Sequence, residues 1–372
     1  MGTCTEETMT EKRSVMLGMS GGVDSSAAAL ILQQQGYEVC GVTLHLFDKT
    51  QEDEIDKTKS CCSLSDVQDA RAVADKLGMT HHVFNFKDVF KTQVMDRFAQ
   101  SYQKGQTPNP CIDCNRYVKF DKMLQRAQLL GYDYIATGHY ARNEYNPETQ
   151  RWELKKGLDE TKDQSYVLYC LTQEQLAHTL FPLGGYTKTY MRELAAENGL
   201  VNARKPDSQD ICFVSSSYDD FLKQEYNVQP VSGSFVDKNG KKLGIHKGII
   251  SYTVGQRKGL GLAVPSPLYV IDKDPAANTV VLAEKEDTFA KGVLIEDINL
   301  IAIEHLTGPV KVAVRTRYKQ KEIPAVLQPG KTEGIAEIIY DEPATVAAAG
   351  QAAVCYVDDV VLGGGTIRTN IF

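Results

Sequence analysis

The sequence predicts an α/β protein with a doubly wound parallel sheet in its N-terminal part and smaller β-rich units after it. Strand and helix patterns alternate through the N-terminal half, which is typical of a parallel sheet with helices on both faces. A glycine-rich turn at residues 18–26 joins the first apolar run to the first helical pattern. After Ser215, short apolar runs separated by turn residues indicate small β domains.

Local patterns justify each element of the α/β part in turn. Strands are expected at residues 15–19, 37–46, 80–86 and 132–137, and helices at residues 27–32, 65–77, 89–102, 117–130, 166–180 and 190–199. The second helix has capping-box spacing between Ser65 and Gln68 and stops at Gly78. The polar stretch 143–150 is expected to be a loop or a hairpin insertion.

The rest of the chain has the alternation and turn residues of β structure. Strands are expected at 233–236, 249–254, 269–271, 280–283, 310–317, 323–327 and 334–340. The change of pattern divides the chain into three predicted domains, at residues 1–215, 216–285 and 286–372. The first should hold its ligand at the carboxyl ends of its strands, where both the glycine turn and Gly138 fall.

Composition limits the class of protein. The chain has 372 residues, of which 42% are hydrophobic and 24% charged, as in ordinary globular proteins. It contains no apolar run of the roughly 18 residues that a membrane helix needs. Residues 1–13 are polar and acidic, unlike a signal or transit peptide, so a cytoplasmic location is expected. The net charge of −7 argues against indiscriminate polyanion binding and leaves room for a local basic face.

Nine cysteines make an odd number in a large chain with no secretory signal, which argues against a disulfide framework. Two neighbourhoods stand out, at residues 107–115 and 205–213. Cys114 is predicted to precede a helix that starts near Tyr117, where the helix dipole would favour the thiolate. Cys212 lies between Ile211 and Phe213 and is equally compatible with a buried, unreactive side chain.

The glycine turn has the character of an anion-binding loop. Gly21 and Gly22 carry no Cβ that would keep a phosphate from the backbone, and the next helix directs its free amides at the turn. An ordinary glycine turn is the alternative. The Walker lysine pattern is missing. The order Ser-Gly-Gly-x-Asp-Ser after a first strand resembles the pyrophosphate-binding loop of enzymes that use ATP to adenylate a substrate oxygen.

Further motifs occur in the order seen in bacterial tRNA 2-thiouridylases, and the resemblance covers nearly the whole chain. They are the loop at 20–25, Thr-Pro-Asn-Pro at 107–110 with Cys-Asn at 114–115, Ala-Thr-Gly-His-Tyr at 136–140, Lys-Asp-Gln-Ser-Tyr at 162–166, Ile-Cys-Phe at 211–213, Gly-Gln-Arg-Lys-Gly-Leu-Gly at 255–261, Arg-Thr-Arg-Tyr at 315–318 and Leu-Gly-Gly-Gly at 362–365.

The resemblance implies a fold and a reaction. The fold would be a nucleotide-hydrolase domain of the pyrophosphate-loop (PP-loop) ATPase type, then two β-rich domains, the last a β-barrel. ATP would activate the C2 oxygen of the wobble uridine (position 34), and a protein persulfide would replace AMP to give 2-thiouridine. Residues implied to bind ATP are Gly18, Met19, Ser20, Gly21, Gly22, Val23, Asp24, Ser25, Leu44 and Gly138, with Asp24 on Mg²⁺.

By the same resemblance, Cys212 would carry the persulfide and Cys114 would be its partner thiolate. Residues implied to meet the tRNA are Asn109, Pro110, Cys111, Lys162, Asp163, Gln164, Arg317 and Tyr318; a solvated charged face is the alternative for the basic ones. The expected substrates are the tRNAs for lysine, glutamate and glutamine. A cysteine desulfurase or a sulfur relay protein would deliver sulfur, and no membrane is implied.

Three rival hypotheses stay open at this point. Many relatives have aspartate where this chain has Cys111, so Cys111, Cys114 and Cys212 could instead bind a [4Fe–4S] cluster. The PP-loop could serve a small-molecule ligase or amidotransferase, which would leave the β domains and Cys212 without a role. An RNA-binding module with an inactive nucleotide site is the third. The pair Cys61 and Cys62 is interpreted as structural or accessory.

Overall fold

A five-stranded parallel sheet organises the N-terminal part of the chain. The computed structural model describes residues 13–48, 64–206, 211–214 and 217–372. The strands are β1 (Ser14–Gly18), β2 (Glu38–His45), β3 (His81–Asn85), β4 (Tyr134–Ala136) and β7 (Thr179–Leu180), in the spatial order β3-β2-β1-β4-β7. Every neighbouring pair is parallel. The carboxyl ends of β1, β2 and β4 therefore share one edge.

Helices cover both faces of this sheet, so the predicted doubly wound α/β domain is confirmed. Alternate residues of β1 show why: Val15 and Leu17 pack into one apolar core, whereas Met16 packs into another on the opposite face. The helices are α1 (Val23–Gln34), α2 (Leu64–Lys76), a continuous helix made of Lys87–Phe90, Lys91–Met95 and Asp96–Gln103, a second one made of Pro110–Asp113, Cys114–Lys122 and Met123–Leu129, and the separate helices Ser165–Leu168, Gln173–Ala177 and Lys188–Glu197.

The second continuous helix, residues 110–129, begins earlier than the sequence analysis predicted and is called the cysteine helix below. Asn109 is its N-cap, with Oδ1 accepting a hydrogen bond from the Cys111 amide at 3.2 Å, and Pro110 fills the first helical position. The expected start near Tyr117 was wrong, because Asn-Pro is itself a helix-start signal. Cys114 consequently lies inside the helix, and Cys111 occupies the first turn.

Two other local predictions were also wrong, and one helix was not predicted. Residues 166–180 do not form one helix, because the capping box of Thr172 and Gln175 starts a new short helix that leads into β7. Residues 249–254 contain the 3₁₀ turn Ile249–Ser251 rather than a strand. A helix, Tyr218–Tyr226, precedes the central strands; the side chain of its N-cap, Ser217, accepts a hydrogen bond from the Asp220 amide at 3.1 Å.

The central unit is a four-stranded sheet with the order β10-β11-β8-β9. Its strands are β8 (Gly233–Asp237), β9 (Lys242–His246), β10 (Tyr269–Asp274) and β11 (Thr279–Ala283). The sequence analysis expected three of them and missed β9. A second 3₁₀ turn, Lys285–Thr288, follows the sheet.

The C-terminal unit is a closed six-stranded β-barrel, as expected. Its strands are β12 (Phe289–Leu300), β13 (Val310–Arg315), β14 (Ile323–Pro329), β15 (Ala336–Thr345), β16 (Ala352–Val357) and β17 (Val360–Ile371). Closure occurs because β12 pairs with both β15 and β17. The stretch expected as a loop or hairpin is the hairpin of β5 (Ala141–Asn146) and β6 (Arg151–Lys156), which joins the barrel where Lys155 faces Val360.

Across the described ranges, every helix falls short of the length and apolar character that a membrane span requires.

A network of ion pairs fixes the barrel to the α/β domain. Arg315 of β13 reaches Asp163 at 2.9 Å and Glu322 at 2.8 Å, and Glu322 reaches Lys156 of β6 at 2.6 Å. The side chains of Asp163 and Arg315 are only 2% and 16% exposed. Removing one member of a buried ion pair leaves the other charge buried without a partner. The resulting loss of folding free energy is larger than the net stabilisation that the intact pair provides.

The variant Arg315→Met should therefore lower the free energy of unfolding by about 3–5 kcal/mol, because the buried carboxylate of Asp163 loses its ion-pair partner. Urea unfolding followed by circular dichroism measures the loss. The control Lys238→Met breaks an exposed pair with Asp287 and should change the unfolding curve little. Equal effects of the two variants would contradict the assignment of Arg315 as the interdomain anchor.

Candidate functional site

The glycine loop lies at the carboxyl end of β1 and at the amino end of α1, as the sequence predicted. Gly21 has φ +72°, and a Cβ placed there would lie 2.3 Å from the carbonyl oxygen of Asp66 in α2. Gly22 has φ −88°, and a Cβ there would meet only Ser20 Oγ, at 3.5 Å. Gly21 is thus required by the fold, whereas at Gly22 the space beside the backbone stays open to a ligand.

Protein donors hold the carbonyl groups of the loop. The Asn202 amide nitrogen donates to the carbonyls of Gly21 and Gly22 at 3.0 and 3.2 Å and to Ser26 Oγ at 2.8 Å. Lys205 Nζ donates to the Gly21 carbonyl at 3.2 Å. With no side-chain cap on α1, its first amides remain available to an anion, and the helix dipole favours negative charge there. This arrangement is suited to phosphate.

Asp24, in the first turn of α1, is fixed by two residues that the sequence analysis did not single out. Lys188 Nζ donates to both carboxylate oxygens of Asp24 at 2.7 Å, and the Tyr140 hydroxyl donates to Oδ1 at 2.8 Å. Lys188 is nearly buried, at 8% exposure, while Asp24 is 33% exposed. Asp24 is therefore oriented before any ligand arrives. The only local signal for Lys188 was its place at the start of a helix, after the N-cap Thr187.

Gln164 orients Tyr140 in turn. The side-chain oxygen of Gln164 accepts a hydrogen bond from the backbone N–H of Tyr140 at 2.9 Å, and the backbone N–H of Gln164 donates to the Tyr140 carbonyl at 2.9 Å. The structure thus gives this predicted tRNA-contact residue an internal contact to the loop. Its contact with RNA stays a prediction.

Gly138 and Leu44 lie beside the loop at the ends of β4 and β2. A Cβ at Gly138 would be 2.9 Å from the backbone of Asp24 and Ser25, so a larger residue would displace the start of α1. Leu44 is 9% exposed and belongs to the apolar core. Thr43 Oγ1 donates to the Met19 carbonyl at 2.8 Å, which ties β2 to the loop. Nucleotide contacts at Gly138 and Leu44 remain predictions.

The three cysteines differ in exposure. Cys111 is exposed, Cys212 is partly buried, and Cys114 is 8% exposed within the same large apolar core that Cys212 packs against. Phe213 anchors the segment of Cys212, with its ring 5.6 Å from that of Phe90 and 5.4 Å from that of Phe98. Residues 207–210, and with them part of the predicted second neighbourhood, lie outside the described residues, as do Cys61 and Cys62.

Within the described ranges, no three His, Cys, Asp or Glu side chains are arranged to hold a metal ion. In particular, Cys111, Cys114 and Cys212 are not grouped around a common metal-ion site.

Tyr318, another predicted tRNA contact, follows strand β13 of the barrel. Tyr318 packs against Tyr166, with ring centroids 6.0 Å apart. Burial, together with the nearby Asp163 carboxylate and Cys111 thiol, raises the pKa of Tyr318 to about 12, so its hydroxyl is a neutral hydrogen-bond donor. The structure thus brings Tyr318 close to Cys111, although about two hundred residues separate them in the chain.

Two charged members of this predicted set already have protein partners. Asp163 accepts hydrogen bonds from the amides of Gly157 and Ser165, each at 3.1 Å, besides its ion pair with Arg315. Arg317 is exposed and donates to the Val346 carbonyl at 3.2 Å. Lys162 is partly exposed. The side chain of Asp163 therefore has a structural role, and tRNA contacts at these three positions remain predictions.

The two loop glycines make a matched test. Gly21→Ala should lower the melting temperature, because the new Cβ collides with α2 in a left-handed backbone conformation. Gly22→Ala should leave the melting temperature close to that of the wild type and weaken ATP binding, because its Cβ projects only into open space that phosphate would occupy. Differential scanning fluorimetry and calorimetric titration with ATP measure the two effects. Unchanged ATP affinity in Gly22→Ala would contradict the phosphate assignment.

Three family models match consecutive parts of the chain. The model described as tRNA methyl transferase HUP domain matches residues 13–216, the tRNA methyl transferase PRC-barrel domain matches 219–284, and the aminomethyltransferase beta-barrel domain matches 290–367. The first model alone covers more than half of the chain.

Curated relatives are similar over their full length. The tRNA-specific 2-thiouridylase MnmA of Acetivibrio thermocellus is 48% identical over 358 residues, covering 96% of this chain and 99% of that protein. The protein of the same name from Clostridioides difficile is 47% identical over 360 residues, covering 96% and 99%. MnmA 1 of Thermoanaerobacter pseudethanolicus is 47% identical over 364 residues, covering 98% and 100%. The chain belongs to the family of tRNA-specific 2-thiouridylases.

Proposed function

We propose that this protein uses ATP to replace the C2 oxygen of the wobble uridine (position 34) of tRNA by sulfur. The observation that carries the proposal is the loop at the start of α1. Its carbonyls are held by Asn202 and Lys205, its first amides are available, and Asp24 is oriented by Lys188. Family membership supports the choice of tRNA as the substrate.

The first step joins the uridine to AMP. The C2 oxygen attacks the α-phosphorus of ATP, the bond to the β-phosphate oxygen breaks, and pyrophosphate leaves. Amides at the start of α1 bind the phosphates, while Ser25, whose Oγ accepts from the Ser20 amide at 3.3 Å, keeps the loop in shape. Asp24 would hold Mg²⁺, which would neutralise charge on the phosphates; a single carboxylate beside phosphates suits the ligand preferences of this ion.

The second step transfers sulfur. The terminal sulfur of a persulfide on Cys212 attacks C2, and AMP departs with the former uridine oxygen. The Cys114 thiolate then attacks the inner sulfur of Cys212, which forms a Cys114–Cys212 disulfide and leaves the outer sulfur on the base as a thiocarbonyl. A thiol reductant must restore both cysteines before the next turnover. Alternatively, Cys114 attacks the persulfide first and releases sulfide, which is then the nucleophile.

The remaining assignments belong to this proposal. The three domains are residues 1–215, 216–285 and 286–372. The residues proposed to contact the tRNA are Asn109, Pro110, Cys111, Lys162, Asp163, Gln164, Arg317 and Tyr318. The substrates are the tRNAs for lysine, glutamate and glutamine. A cysteine desulfurase or a relay protein in the cytoplasm supplies the persulfide sulfur.

The variants Cys212→Ser and Asp24→Ala should separate the two steps. Cys212→Ser should abolish thiolation yet keep tRNA-dependent pyrophosphate release, because it lacks only the sulfur carrier. Asp24→Ala should lose both activities. Mass spectrometry of nucleosides and a pyrophosphate assay measure them, with a persulfide-generating desulfurase as donor.

The exposed residue Cys111 provides the matched control for this test. Cys111→Ser should retain thiolation at saturating tRNA, because in this proposal Cys111 carries no sulfur and contributes only a tRNA contact. Full thiolation by Cys212→Ser would refute the persulfide assignment. Pyrophosphate release that responds to a small-molecule acceptor and not to tRNA would favour a ligase instead.

A further inference from the structure

A cavity of about 190 Å³ lies where the α/β domain, the central sheet and the barrel meet. The α/β domain contributes residues 104–107, and the central unit contributes Val254, Asp272 and Lys273. The barrel side contributes Ala347, Ala349 and residues 368–370. None of these residues belongs to the ATP loop or to the cysteine pair.

Each of the three units places one cation at this cavity: Lys104, Lys273 and Arg368. Asp272 is the only acidic residue in the lining. Among the described residues, none of the three cations forms an ion pair, and the only side-chain hydrogen bond they make runs from Lys273 Nζ to the Tyr252 carbonyl at 2.8 Å. The cavity thus carries an excess of uncompensated positive charge.

Lys273 shows the electrostatic cost of this arrangement. Burial lowers the pKa of Lys273 to about 8, and the nearby charge of Asp272 only partly offsets the effect. Burial also raises the pKa of Asp272, whose Oδ1 accepts from the Lys273 amide at 2.8 Å. The Asp272 carboxylate therefore balances the partly buried ammonium group of Lys273 only in part, and a bound anion would supply the remaining negative charge.

We propose that this cavity is a phosphate site whose occupant is a backbone phosphate of the tRNA substrate. The assignment of the occupant rests on the proposed function. Arginine recognises phosphate through two parallel hydrogen bonds, and lysine does so as a point charge. Lys104 and Arg368 are exposed, so the cavity opens to solvent and a polymer can place one phosphate in it.

The position of the site links tRNA binding to the cysteine helix. The loop that carries Lys104 runs directly into the N-cap Asn109 and is held by both β units. On the barrel side, the backbone N–H of Thr107 donates to the Ala349 carbonyl at 2.8 Å, and its carbonyl accepts from Gln351 Nε2 at 2.7 Å. On the side of the central unit, Gly105 lies so close to Pro275 that a Cβ at Gly105 would be 2.9 Å from that ring. A phosphate bound among the three cations would contact the α/β domain, the central sheet and the barrel at once. This contact would lie just before the N-terminus of the cysteine helix, which carries Cys111 and Cys114.

The test measures binding of a wobble-uridine tRNA to the full-length protein over a series of salt concentrations. Lys273→Met and Arg368→Gln should each weaken binding and reduce the slope of log K against log salt by about one, the change expected for one lost phosphate contact. The control Lys331→Gln removes one exposed positive charge outside the cavity and should leave the slope unchanged. Arg368 is exposed, so its variant tests the site even if Lys273→Met fails to fold.

A second arm distinguishes RNA from free phosphate. The melting temperature of each protein is measured in sodium phosphate and in sodium chloride of equal ionic strength. An unchanged salt slope in both cavity variants overturns the proposal. If phosphate then still raises the melting temperature of the wild type and not of the variants, the occupant is the free ion. A reduced slope together with absent thiolation by the wild type would refute the proposed function while supporting the phosphate site.

Discussion

The site depends on how the carbonyl groups of Gly21 and Gly22 are held. Asn202 and Lys205 bind these oxygens, and Lys205 also bridges Asp66 and Asp69 of α2 at 2.6 Å each. Asn202 is 2% exposed, so its hydrogen bonds are protected from water. A loop held this way keeps its amides oriented for phosphate without reorganising, which is the condition for electrostatic stabilisation of a developing charge.

The segment that holds the glycine loop also leads to the cysteine proposed to carry sulfur. The segment that carries Asn202 and Lys205 precedes Cys212 by only a few residues in the sequence, and Phe213 anchors the chain again in the apolar core. The cysteine helix is fixed separately, by the Asn109 cap at its start and by the barrel, whose Ala349 and Gln351 form hydrogen bonds with the backbone of Thr107. Strand β1 thus carries the nucleotide loop at its carboxyl end, and its Met16 packs into the same apolar core as Cys114 and Phe213, which suits two consecutive reactions on a single base.

Sequence reasoning succeeded where the signal is local. The strand, glycine loop and helix of the nucleotide site could be predicted from adjacent residues. Asn109-Pro110 is also a local helix-start signal, although the predicted start of the cysteine helix did not use it. Long-range partners left no such signal: Lys188 lies 164 residues from Asp24, and Asn202 lies 181 from Gly21. No sequence signal indicated that the side chains of Asp163 and Gln164, both predicted to contact RNA, also bond to Arg315 and to Tyr140, which only the folded chain brings close.

The most direct test of this account uses tRNA whose wobble uridine carries ¹⁸O at C2. After a single turnover with ATP and a persulfide donor, mass spectrometry follows the label. Adenylation of the C2 oxygen predicts that each thiolated uridine is matched by one AMP that contains ¹⁸O in its phosphate. Thiolation with the label released to water, and with unlabelled AMP, would contradict the adenylated intermediate on which the assignment of the loop and the cysteines depends.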